Sequence, residues 1–225
     1  MKTPKVIFFD AGNTIFYFDS LFLKKELAKI NIPLDAEKMD AVHPQASRNL
    51  GRLINIIPEY WERYRVSHFH WFELAGMPKE HFAPALEVLR YHSERYLFWC
   101  HFPIAIRQML VDFKKQGIKL GIISNAEGQV ATQVRHLEAE SIFDTVIDSH
   151  VVGVAKPDPK IFEIALESVK EKPEEAWHVG DMYETDVAGA RAAGLTPILF
   201  DAHDHYPQAD CIRITQMLQL KDILL

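Results

Sequence analysis

The sequence predicts an α/β protein, a doubly wound parallel sheet with an all-helical unit inserted after its first strand. Three observations lead there. Short apolar runs rich in β-branched and aromatic residues recur along the chain, and stretches of helical length separate them. Between the first run and the second lies a long aromatic-rich segment with no convincing strand. Strand alternating with helix is the pattern of parallel sheets covered on both faces.

The elements follow in order. Val6 to Phe9 is a continuous apolar run bounded by Pro4 and the turn Asp10-Ala11-Gly12-Asn13, which is how a strand buried on both faces reads. The inserted segment offers helical stretches at Ser20 to Ile30, Ala36 to Leu53, Pro58 to Leu74 and Pro78 to Tyr96, punctuated by Pro33, Pro58 and Gly76-Met77-Pro78. Its aromatics Trp61, Tyr64, Phe69, Trp71 and Phe72 are expected to form its own core. After it, Ile104 to Gln116 reads as a helix stopped by Gly117. Strands are expected at Ile118 to Ile123, Thr145 to Ile147, Trp177 to Val179 and Pro197 to Phe200, with a weaker one at Cys211 to Ile214. Helices at Gln129 to Leu137, Pro159 to Val169 and Thr185 to Ala193 fill the gaps. The expected division is a core of residues 1–15 and 98–225 and a helical unit of residues 16–97.

Composition narrows the function classes. A chain of 225 residues with 48% hydrophobic and 25% charged residues is ordinary for a globular protein. A formal charge of -6 argues against nucleic acid and against an anionic membrane surface, both of which favour basic faces. No apolar stretch approaches the ~20 residues that span a bilayer. Cys100 and Cys211, the only cysteines, lie far apart with no metal-ligand spacing, so a reducing, cytoplasmic setting is expected.

In open parallel sheets, ligands bind beyond the carboxyl ends of the strands. The residues standing there are Asp10, Gly12 and Thr14, then Ser124-Asn125, then Lys156-Pro157, then Gly180-Asp181 with Asp186 five residues on. Acids gathered around one lysine suit a divalent cation holding a phosphate, because the metal offsets repulsion between carboxylates and the anion. Singly, each has a plainer reading. Asp10 also reads as a turn residue, Ser124-Asn125 as a helix cap, Lys156 as a solvated side chain, and Thr14 as a group satisfying nearby backbone. Their joint placement after successive strands favours chemistry.

The stretch Phe8-Phe9-Asp10-Ala11-Gly12-Asn13-Thr14 resembles the first motif of the haloacid dehalogenase superfamily. Ser124 after its strand resembles the second, Lys156 before Pro157 the third, and Gly180-Asp181-Met182-Tyr183-Glu184-Thr185-Asp186 the fourth. The resemblance implies a Rossmann-like core carrying a helical cap of the C1 type. It implies a magnesium-dependent hydrolase of a small phosphorylated metabolite, with Asp10 as nucleophile forming an aspartyl-phosphate that water hydrolyses. Mg²⁺ would be held by Asp10, the Gly12 carbonyl, Asp181 and, directly or through water, Asp186. Ser124, Asn125 and Lys156 would bind the phosphoryl oxygens, Lys156 also supporting the ionised nucleophile. The cap would open and close about hinges near Thr14 to Phe18 and Tyr96 to Phe102.

One position departs from the pattern. Phosphatases of this family carry a general-acid Asp two residues after the nucleophile, and here Gly12 stands there. General acid catalysis contributes ~10²–10⁴ in rate. A good leaving group, or a proton from cap histidines His43, His68, His70, His81 or His92, would compensate. Phosphonatases and dehalogenases also lack the acid. The former would need a cap lysine (Lys24, Lys25, Lys29, Lys38 or Lys79), and the latter do not keep the metal motif at Asp181 and Asp186. A binding protein with little or no turnover is the non-enzymatic alternative.

Overall fold

Val6, Ile7, Phe8 and Phe9 have no exposed surface, as their unbroken apolar run requires, and they form β1 (Val6–Phe9) at the centre of a sheet. The computed structural model describes residues 3–53, 56–57, 59–93 and 98–224. On one side β1 pairs with β2 (Lys119–Ser124), which pairs with β3 (Thr145–Asp148). On the other it pairs with β4 (Ala176–Gly180), followed by β5 (Thr196–Phe200) and the edge strand β6 (Ile212–Ile214). All six strands are parallel, in the order β3-β2-β1-β4-β5-β6. The register sets Phe9 beside both Ile122 and Val179, so Asp10, Ser124 and Gly180 leave the sheet at neighbouring points of one edge.

The chain divides into two units, Met1–Tyr17 with His101–Leu225, and Phe18–Cys100. These bounds lie two and three residues further along the chain than the expected 16 and 97, for a packing reason. Phe16 and Phe102 meet edge to face at 5.2 Å within the first unit, whereas Phe18 and Phe98 stack at 5.1 Å within the second. In the first unit, Tyr17 and His101 also exchange backbone hydrogen bonds of 2.9 and 3.2 Å where the chain leaves and returns.

The inserted unit holds α1 (Ser20–Ala28), α2 (Ala36–Leu53), α3 (Tyr60–Leu74) and α4 (Phe82–Ser93). Pro78 opens a short 3₁₀ turn, Lys79–His81, before α4. The expected endpoints at Pro58 and Tyr96 lie outside the described residues. Leu23, Leu27, Met39, Trp71, Phe72, Leu89 and Phe98 make its core, and the Trp71 indole donates to the Met39 carbonyl at 2.9 Å. Trp61 departs from expectation: it is 56% exposed and packs edge to face on Tyr64.

The core unit adds α5 (Ile104–Lys115), α6 (Val130–His136), α7 (Ser149–Val152), α8 (Pro159–Val169), α9 (Ala188–Ala192) and α10 (Leu220–Leu224). Ile161, Phe162, Ala165 and Leu166 of α8 pack on Val6 and Phe8. The helix expected from Thr185 to Ala193 is instead a π turn, Tyr183–Val187, followed by α9. The wider turn accompanies a carboxylate folded back inside it, since Asp186 accepts from the Met182 amide four residues earlier at 3.0 Å. Among the described residues, no helix is long and apolar enough to cross a membrane.

Candidate active site

Asp10 directly follows β1, with its amide donating to the Val179 carbonyl of β4 at 2.8 Å. The loop behind it is tight: Ile15 and Phe16 both donate to the Ala11 carbonyl at 3.0 and 2.8 Å, and Asn13 takes the left-handed conformation at φ 57. Gly12 bridges to Phe16 within this loop. Thr14 corrects its plain reading, because its buried hydroxyl has no partner among the described residues. The Thr185 hydroxyl is buried and unpartnered in the same way.

Lys156 is the hub. Its ammonium, almost fully buried, lies 2.6 Å from Asp10 Oδ1 and 2.6 Å from Asp186 Oδ1. Asn125 fixes the lysine's backbone from both ends: its Nδ2 donates to the Lys156 carbonyl at 2.9 Å, and its Oδ1 accepts from the Lys156 amide at 2.8 Å. The side chain expected to meet phosphate is thus engaged in placing Lys156, which leaves the Asn125 backbone amide for a ligand. Ser124 is buried at the end of β2.

Asp186 is surrounded by donors. Its Oδ1 accepts from Lys156 and from His178 Nε2 at 2.9 Å, and its Oδ2 from the Met182 amide. Two glycines make this packing possible. A Cβ at Gly180 would sit 2.2 Å from Asp186 Cγ, and one at Gly189 would sit 2.7 Å from Phe162 and 3.0 Å from the Pro157 backbone. Only bare backbone lets the fourth motif close over the Lys156-Pro157 segment.

Electrostatics single out the same cluster. Burial raises Asp10 to about 6, with Lys156 pulling it down and Asp186 pushing it up. Burial, then the charges of Asp10 and Asp186, hold Asp181 well above the usual carboxylate range. Burial alone would raise Asp186, but Lys156 and His178 reverse this and hold it below the ordinary value. Burial would lower Lys156, and the two carboxylates raise it instead, so it stays an ammonium. Three carboxylates therefore face one cation. That shortfall of positive charge fits a divalent ion, and the donors left for it are hard oxygens: the Asp10 and Asp181 carboxylates and the Gly12 carbonyl. Among the described residues, no three His, Cys, Asp or Glu side chains are arranged to hold a metal by themselves. Mg²⁺ does not require that, because it is commonly bound through one or two carboxylates plus waters and phosphate oxygens.

Other acids at strand ends have structural partners. Asp148, the last residue of β3, accepts from the amides of Gly128, Val130 and His150. Asp201, after β5, accepts from the amides of His205 and Tyr206 and from Arg213. Sequence reasoning missed His178. Its signal was a lone imidazole inside the apolar strand Ala176-Trp177-His178-Val179, at the alternation that also points Gly180 to one face.

The site therefore sets a carboxylate just past the end of a central parallel strand, with a buried lysine on one of its oxygens. The family profile of haloacid dehalogenase-like hydrolases matches residues 4–194, and the chain belongs to that family. It is similar to a glyceraldehyde 3-phosphate phosphatase of Pyrococcus furiosus, 30% identical over 100% of this chain and 94% of the relative. A protein of the same description from Methanothermobacter thermautotrophicus is 28% identical, over 98% of this chain and 99% of that one. Among solved structures, the magnesium-bound HAD hydrolase YfnB of Bacillus subtilis superposes with a TM-score of 0.73 at 20% identity, covering 99% of each chain. A dehalogenase superposes at 0.70 with 16% identity, over 100% of this chain and 98% of that one.

Proposed function

We propose that this hydrolase is a magnesium-dependent phosphatase of a small phosphorylated metabolite, with a short sugar or aldehyde phosphate as the substrate class. The observation that carries this reading is the Lys156 ammonium 2.6 Å from Asp10 Oδ1, deep in a cluster that otherwise lacks positive charge. The Lys156 ammonium beside it favours the ionised Asp10 that can attack. Its oxygen bonds to phosphorus, the bond to the leaving oxygen breaks, and the leaving group takes a proton. Water then attacks the aspartyl-phosphate, releasing inorganic phosphate and restoring the carboxylate.

Lys156, the Ser124 hydroxyl and the Asn125 backbone amide stabilise charge building on the phosphoryl oxygens. Bound Mg²⁺, held by Asp10, Asp181 and the Gly12 carbonyl, would neutralise charge on the phosphate. Asp186 enters as the partner of Lys156 rather than as a direct ligand, because its Oδ1 already takes two donors. The names of the archaeal relatives support the substrate class.

The missing acid at Gly12 leaves the leaving-group proton to another source. Burial holds His43 at about 3 and His68 at about 4, so both are neutral near pH 7 and lack a proton to give. The cap lysines Lys24, Lys25, Lys29, Lys38 and Lys79 are all exposed, which gives no support to a Schiff-base phosphonatase.

The test is phosphate release from glyceraldehyde 3-phosphate, acetyl phosphate and p-nitrophenyl phosphate, with Mg²⁺ and with EDTA, alongside a phosphonate. Turnover should need Mg²⁺ and vanish in Asp10→Asn. Turnover that survives Asp10→Asn, or release from the phosphonate alone, overturns the proposal.

A further inference from the structure

We propose that His178 is a positioning residue, its imidazole fixing Asp186 so that Asp186 in turn holds the Lys156 ammonium against Asp10. The inference rests on the reading of Asp10 and Lys156 given above and extends it one layer outward. Four groups form a continuous buried chain. His178 Nε2 lies 2.9 Å from Asp186 Oδ1, that oxygen lies 2.6 Å from Lys156 Nζ, and Nζ lies 2.6 Å from Asp10 Oδ1.

The ring itself is held. Its side chain has no exposed surface, and Phe162 of α8 meets it edge to face at 5.0 Å. On β4 it stands level with Phe8 of β1, two residues before Asp10, so strand alternation turns both His178 and Asp10 to one face.

Packing alone does not account for an imidazole here. A strand buried on both faces is filled as well by leucine, without a ring nitrogen to satisfy. His178 Nδ1 is buried with no partner among the described residues, a cost that a merely space-filling residue would not carry. Among the described residues, the one hydrogen bond the ring makes goes to Asp186. Because that acceptor is a carboxylate, Nε2 carries a proton. The ring donates to the same oxygen that Lys156 meets and so orients Asp186, which gives Lys156 an ionic partner besides Asp10. This is the support that metal-site and nucleophile shells commonly receive from outer residues, whose loss typically lowers activity by about 10–100-fold.

Two variants and one spectrum test it. His178→Gln keeps an amide donor at similar reach, and His178→Leu keeps volume without a donor. With Mg²⁺ and p-nitrophenyl phosphate, which has a good leaving group, His178→Leu should lower kcat about 10–100-fold with little change in KM. His178→Gln should recover most of the loss at a comparable melting temperature. Equal losses in the two variants, or wild-type kcat in the leucine variant, would reduce His178 to a packing role. In the metal-free wild-type protein, long-range ¹H–¹⁵N correlation of labelled imidazoles should give a resonance that disappears in His178→Gln and belongs to the Nε2–H tautomer. The opposite tautomer overturns the proposal even where the leucine variant does not fold. Activity indifferent to Asp10→Asn, with the Nε2–H tautomer intact, would instead remove the phosphatase reading and leave the His178–Asp186 contact standing.

Discussion

Gly180→Ala should damage the site through a single methyl group. The new Cβ would stand 2.2 Å from Asp186 Cγ and 2.5 Å from its Oδ2, whereas ordinary contact begins at 3.4 Å. The carboxylate must retreat by more than an ångström or the strand must shift. Either movement stretches the 2.6 Å contact between Asp186 and Lys156 beyond hydrogen-bonding range. Overpacking of this kind costs about 1–3 kcal/mol, which for a chain of this size lowers the melting temperature by roughly 2–12 °C. A misplacement near 1 Å costs on the order of 10² in rate. Calorimetry and kcat on p-nitrophenyl phosphate measure the two effects. Gly117→Ala is the control, because Gly117 sits at φ +84 with nothing within 4 Å of its would-be Cβ. It should lose about 1–2 kcal/mol to left-handed strain and keep its kcat. Wild-type kcat and stability in Gly180→Ala would show that the Asp186 carboxylate does not lie where the argument needs it.

Further outcomes follow from the same cluster and from the inserted helical unit. Asp181→Asn removes one of the carboxylates that burial and mutual repulsion destabilise, so it should raise the melting temperature in EDTA and abolish the rise expected from Mg²⁺ in the wild type; a Mg²⁺ shift that persists counts against Asp181 as a ligand. Because His43 and His68 are held at about 3 and 4, the unfolded chain binds protons below about pH 6.5 that the folded chain refuses. Stability should therefore fall as pH drops from 7 to 5, by up to about 2 kcal/mol per histidine. Urea titrations at the two pH values measure it, and a double His43→Leu, His68→Leu variant should show a flatter dependence. Gly12→Asp should raise kcat/KM on alkyl phosphates relative to p-nitrophenyl phosphate, by at most ~10²–10⁴. An unchanged ratio would mean that protonation of the leaving group is not the weak step.

The strands were legible because they are buried on both faces. Val6 to Phe9 and Ala176 to Val179 carry hardly any polar side chain, and such runs announce a parallel sheet without tertiary information. Asp10, Lys156 and Asp181 were legible for a related reason, since strand ends are where open sheets bind ligands and family motifs mark those ends. The fourth motif read as an ordinary helix because periodicity cannot register one extra residue in a turn, and the π turn at Tyr183–Val187 escaped.

The sequence by itself determined the sheet, the insertion after β1 and the order in which chemical groups arrive at one edge, all of which are written in local runs and spacings. Only the tertiary structure decided what each group does there. Asp148 and Asp186 are equally acidic in the sequence, yet backbone amides engage the first while Lys156 and His178 engage the second. Asn125 grips the backbone of a lysine 31 positions away, and that lysine reaches an aspartate 146 positions away. A carboxylate's protonation and role depend on the charges and donors within a few ångströms of it. Those neighbours are brought together by the fold and leave no trace in the local pattern.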